Sequence, residues 1–200
     1  MILKKKMVFS GFLLIFSIGC TPTSYSHINV LENINQTHSG KNVDKIWLDE
    51  SATQGLENNN ISLGQINIDS INDEKGITKL ECKEYLKEYI FNSPENNGFI
   101  KIQESSIYKL NLYFTNMTPG DAASRIWAGE LGFGHANVEI QAIVQDDANK
   151  RLIEISDSRN NSGAIGLRDT GGDKGPVLVK ELIQQITDNI LKELKSIIRK

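Results

Sequence analysis

Cysteine is almost absent: the 200 residues hold two, Cys20 and Cys82. That count excludes a disulfide framework and any zinc ribbon built on cysteine pairs. Histidine is as sparse. His27, His38 and His135 lie far apart and show no HExxH spacing, so a catalytic zinc site has no ligand set. No G-x-S-x-G elbow is present for a serine nucleophile. A basic excess is missing too, because 22 Lys and Arg face 25 Asp and Glu for a net charge of −3. Nucleic-acid binders present a basic patch or stripe, and this balance argues against that class. Only one long apolar run exists, Met7 to Ile18, and it is too short to span a bilayer comfortably.

What is present begins with that run. Lys4, Lys5 and Lys6 precede it and Gly19-Cys20 follows, the order of a bacterial export signal. A small residue before a cysteine at the end of such a core resembles the lipobox of bacterial lipoproteins. Ser17 and Ile18 depart from that family's usual Leu and small residue. The resemblance implies cleavage before Cys20 and acylation of its sulfur and its new amino terminus. Each buried CH₂ contributes about 0.8 kcal/mol, so several acyl chains hold a protein to a bilayer durably. By the sorting pattern of enteric lipoproteins, in which Asp after the cysteine means inner-membrane retention, the resemblance with Thr21 at that place implies the outer membrane, with the domain facing the periplasm. Loss of residues 1–19 removes three lysines and no acid, which takes the net charge from −3 to −6.

Residues 20–60 are rich in Asn, Ser, Thr, Gln and Gly and show no sustained period, so they read as a polar tether. Forty such residues reach roughly 35 Å as a flexible coil. Within them "KIWLD" is a brief apolar patch. Trp47 there is a candidate interaction residue, with packing on its own domain as the simpler account, and Trp127 is a second candidate.

Residues 61–200 read as a single α+β domain. "NISLGQINID" is strand-like, with Gly64 marking a bulge or break. "ITKLECKEYLKEYIFN" predicts an amphipathic helix on Ile77, Leu80, Cys82, Leu86, Tyr89 and Ile90, stopped by Asn92-Ser93-Pro94, and makes Cys82 a buried thiol. "FIKIQ" is a short strand. "SIYKLNLYFT" alternates with Tyr108, Leu110, Leu112 and Phe114 on one side, and "HANVEIQAIVQD" with Ala136, Val138, Ile140, Ala142 and Val144. Asp146–Lys150 turns the chain into "RLIEISDSR", a hairpin in which Asp157 beside Arg159 reads as a surface ion pair. After Pro176 a long helix carries Val179, Leu182, Ile183, Ile186, Ile190, Leu194 and Ile197. One wet sheet face and one face covered by the two main helices make a two-layer sandwich with a largely antiparallel or mixed sheet.

Two glycine-rich loops test for nucleotide chemistry. Gly129, Gly132 and Gly134 are spaced G-x-x-G-x-G and lead from a helix into a strand, the reverse of a dinucleotide loop, so they read as structural. Gly166 and Gly171 have the Walker spacing, but Gly172 stands where the motif needs Lys and Asp173 where it needs Ser or Thr. No cofactor and no catalytic constellation is implied.

From "YKLNLYFTNMTPGDAASRIWAGELGFGHANVEIQAIVQDDANKRLIEI" through a "TGGD" loop to the last helix, the chain resembles a family of bacterial lipoproteins whose domain has no assigned function. Gly132 and Gly134 match that family's G-x-G, Arg125 its arginine, and Asp146 or Asp147 its turn acid, over residues 105–197. The broader likeness is to the amino-terminal domain of TolB, lipoprotein activators of peptidoglycan synthases and the curli secretion lipoprotein. It implies a non-catalytic adaptor with an envelope protein as partner. Alternatives are a subunit of a homo-oligomeric envelope or secretion assembly, for which only one candidate membrane hairpin exists, and an envelope hydrolase. A deep polar cleft with a perturbed acid would favour the last.

Overall fold

Among the described residues, alternation and helical periodicity build two layers, a seven-stranded mixed sheet under two long helices. The structure is a computed structural model that describes residues 37–38, 40–49, 56, 61–74, 76–101, 106–120, 135–161 and 175–198. They belong to one compact unit, Asn35–Lys200. The strands are β1 (Thr37–His38), β2 (Lys45–Leu48), β3 (Ile61–Asn67), β4 (Ile100–Lys101), β5 (Tyr108–Thr118), β6 (Ala136–Gln145) and β7 (Arg151–Asn161). They lie in the order β1-β2-β7-β6-β5-β3-β4. β3 runs parallel to β4 and β5, and the remaining pairings are antiparallel. The fold is the expected α+β sandwich with a mixed sheet.

The centre of the sheet follows from strict period-two alternation. In β6 every second residue from Ala136 to Val144 is buried. Leu110 faces Val144 and Leu112 faces Ala142, so one continuous apolar surface meets the helices. The β6–β7 turn is closed by Asp146, whose carboxylate accepts from the Lys150 N–H at 2.7 Å. Asn149 there takes φ 61°, a left-handed position that Asn tolerates. Gly64 in β3 is held by close approach. A Cβ there would lie 2.3 Å from Asn111 Oδ1, which accepts from the Gln65 N–H at 2.8 Å, and the β3–β5 register shifts at this point.

Helix α1 (Lys79–Asn92) starts at a capping box. Thr78 Oγ1 accepts from the Glu81 N–H at 3.2 Å, and Glu81 accepts from the Thr78 N–H at 2.7 Å. Cys82, Leu86 and Ile90, four residues apart, form its buried stripe. Leu80 was expected on that stripe and is 67% exposed. Two residues on a helix turn the side chain about 200° away from Cys82, which accounts for the correction.

Helix α2 (Gly175–Ile198) buries Val179, Leu182, Ile183, Ile186, Ile190 and Leu194 as its spacing predicts. The helices run in the same direction. Gln184 donates to Tyr85 at 2.5 Å, Tyr89 donates to Asp188 at 3.0 Å, and Lys192 lies 3.7 Å from Glu95, so contacts climb both helices together.

The expected tether boundary at residue 60 is corrected by β2. Ile46 and Trp47 pair with Ile155 and Glu154 of β7, and Val43, Ile46, Trp47 and Leu56 are buried. A four-residue strand inside polar sequence is too short to show a period, and this is why composition alone placed it outside the domain. Residues 20–36, 39, 50–55 and 57–60 of that segment lie outside the described residues.

Candidate functional site

The inward positions of β7 run Ile153, Ile155, Asp157, so the strand that lays isoleucines on the core lays a carboxylate there next. Asp157 is fully buried, 0% exposed, and is no surface ion pair. Burying a carboxylate is costly unless donors replace its water. Here Asn189 of α2 donates to Asp157 Oδ2 at 3.0 Å, and Arg159 Nε donates to the same oxygen at 3.1 Å. Arg159 Nη2 lies 2.7 Å from Oδ1, but no N–H is directed at that oxygen, which has no hydrogen bond from the protein. The well-directed bond of Nη2 goes to the Asn42 carbonyl at 2.7 Å. Burial pushes the Asp157 carboxyl above its ordinary range, against the opposing pull of Asn189 and Arg159. The same cluster fixes the loop before β2: Asp44 accepts from the Ser158 N–H at 2.9 Å, and its own N–H donates to the Ser156 carbonyl at 3.1 Å.

Above this cluster is an open polar cleft of about 450 Å³. Lys41 and Asn42 come from the β1–β2 loop and Arg159 from β7. Gln185, Asp188, Asn189 and Lys192 come from α2, where the intervals of three, one and three residues place them on one helix face. Asp188 accepts from Tyr89 at 3.0 Å and from Ser93 at 2.7 Å, which joins α1 to α2. Burial, then the bond to Asp188, pushes the Tyr89 phenol up to about 12. Asn42 donates to Glu193 at 3.4 Å, and Lys192 and Lys195 share Glu95 at 3.7 and 4.0 Å. Lys41 is exposed, and among the described residues it has no ion pair.

Only part of the residue set singled out from sequence lies among the described residues. Cys20, Trp127, Gly129, Gly132 and Gly134 lie outside the described residues, as do Arg125 and the loop from Gly166 to Asp173. Trp47 is buried at 8% exposure on the sheet face turned away from the helices. Arg151 sits 4.2 Å over its ring, and Arg151 pairs with Glu154, which also accepts from Gln141 at 2.6 Å. Its packing therefore lies within its own sheet, the simpler of the two readings. Cys82 is buried as expected, 3.2 Å from Met117 Sδ, and burial pushes its thiol up to about 12. Among the described residues no cluster of three His, Cys, Asp or Glu is placed to hold a metal. No described helix is long and apolar enough to cross a membrane.

The Asp157 cluster is what the sequence reading missed. Its signal was the alternation itself, which puts residue 157 in register with Ile153 and Ile155 and makes it an inward acid.

No protein-family profile matches this chain, and no curated protein matches it. Solved structures similar to it include the PelC dodecamer from Paraburkholderia phytofirmans in two crystal forms. They show 9% and 8% identity, cover 68% and 66% of this chain and 89% and 88% of PelC, and have a TM-score of 0.42 in both cases. The hypothetical protein CT253 from Chlamydia trachomatis is similar at 8% identity, over 69% of this chain and 98% of its own, with a TM-score of 0.44.

Proposed function

We propose that this chain is a lipid-anchored, non-catalytic binding domain of the bacterial cell envelope. Acylated Cys20 holds it to the outer membrane, and the domain faces the periplasm and engages another envelope protein through the cleft between the β1–β2 loop, β7 and α2. The anchor rests on the lipobox-like Gly19-Cys20 after its basic and apolar segments.

The observation that carries the binding role is the division of labour inside the cleft. Asp188 is tied to Tyr89 and Ser93, and Asp157 is sealed behind Arg159 and Asn189. Gln185 and Lys41 remain exposed, one offering an amide donor and acceptor and the other a solvated ammonium, groups suited to recognition. A raised acid beside a polar cleft is also what an envelope hydrolase would use. General acid catalysis requires the acid within hydrogen-bond reach of its proton's destination, and a fully buried Asp157 lacks that reach.

Photo-crosslinkers placed in cells at residues 41 and 185, with residue 109 on the far sheet face as control, test the reading. One dominant envelope protein trapped from 41 and 185 and not from 109 supports it. Equal capture from all three positions overturns the cleft as the site, and a ladder of self-adducts replaces the adaptor with an oligomeric assembly. Cys20→Ala should abolish lipid labelling and membrane retention; a variant that is still fully labelled removes the anchor from the proposal.

A further inference from the structure

We infer, resting on the reading of the cleft as a binding site, that its ligand is an acidic peptide segment in extended form. The cleft of about 450 Å³ falls within the range of ligand pockets and holds a few residues of extended chain. Among the described residues its lining contains no aromatic side chain. A nucleobase would find no stacking platform there, and a sugar ring would find no aromatic face.

The remaining chemistry is amide and ammonium. Asn42 and Asn189 each turn their NH₂ toward an acid, Glu193 and Asp157, with one hydrogen bond apiece, and their side-chain carbonyl oxygens serve as acceptors for backbone N–H groups. Gln185 offers both an acceptor and a donor, the complement of a peptide unit. Charge selects among peptides. Lys41 has no ion pair among the described residues, and Lys192 shares its single carboxylate with Lys195. The rim therefore presents cations on its β1–β2 loop side and on its α2 side. Among the described lining residues the one acid, Asp188, already accepts from Tyr89 and Ser93.

The test is fluorescence anisotropy of a labelled oligoglutamate peptide with the full-length lipidated chain in nonionic detergent micelles. An oligoglutamine peptide of equal length is the control. The glutamate peptide should bind at least about tenfold more tightly, with an affinity that falls as salt rises. Lys41→Glu and Lys192→Glu, both at solvent-facing positions, should together reduce it by about tenfold or more without changing the circular dichroism spectrum. Equal affinity for both peptides, or undiminished affinity in the double variant, overturns the acidic ligand. Adducts from position 41 to an envelope protein, combined with no preference for glutamate, would end this inference and leave the binding-domain reading standing. No adduct and no peptide binding would end both.

Discussion

Cys82 and Asp157 are both fully buried titratable groups, and the regions around them could hardly differ more. Around Cys82 the described wall is apolar, and among the described residues Met117 Sδ is the one weak partner. Burial raises the thiol to about 12, so roughly one molecule in ten thousand carries a thiolate at pH 8, and the group stays neutral without compensation. A carboxyl at Asp157 cannot be left so bare. It recruits Asn189 and Arg159, and Arg159 in turn grips Asn42 and the loop before β2. The buried thiol ends at the core, whereas the buried acid requires a polar network that extends outward and opens as the cleft. Burial of a titratable group therefore marks a site only where its compensation reaches the surface.

The contrast predicts a hierarchy of costs, measurable by urea denaturation. Asp157→Ala strands Arg159 and Asn189 and leaves a void, and should cost about 3 kcal/mol. Cys82→Ser places a hydroxyl in a wall that offers only a thioether, and should cost about 2 kcal/mol. Cys82 should also stay unreactive to thiol reagents until the protein unfolds; rapid labelling of the native state would show that it is no sealed core group. Asn189→Ala removes one donor of the network and should cost about 1 kcal/mol. If Cys82→Ser proved costlier than Asp157→Ala, the acid would not be the keystone of its corner.

The sequence made the regular parts of this contrast legible. Alternation over ten residues of β6 and the long stripe of α2 leave no second solution, because a shift of one residue would turn Val138, Ile140 and Ala142 to solvent. The stripe of α1 was legible at Cys82, Leu86 and Ile90 and misread at Leu80, where an exposed leucine imitates a core residue. β2 was illegible because two inward residues, Ile46 and Leu48, make no period, and only β7 gives them a partner. The cleft was the hardest part. Its members come from residues 41–42, 159 and 185–192, and their meeting depends on β2 lying beside β7 with α2 above. No local pattern carries that juxtaposition, although the inward phase of Asp157 gave one thread of it.

The smallest expected effect bears on which form of Asp157 the fold prefers. Burial raises its pKa above the ordinary 3.8, and the donors from Asn189 and Arg159 only partly offset this. An acid whose folded pKa exceeds its unfolded value binds its proton more tightly when folded. Its contribution to stability is then full below about 3.8 and declines as pH rises through the folded pKa. Glu81 behaves in the opposite sense. Its hydrogen bonds with Thr78 lower its pKa, so its contribution is lost as pH falls. Both forces act in the wild type, and Asp157→Asn removes only the first. The stability difference, wild type minus Asp157→Asn, should therefore decrease with pH from just below 4 upward and flatten once Asp157 is ionised in both states. A difference that instead grows with pH would make the carboxylate the favoured buried form. The Arg159 ion pair would then outweigh desolvation, and the Asp157 corner would be an electrostatic clamp rather than a strained acid held by its neighbours.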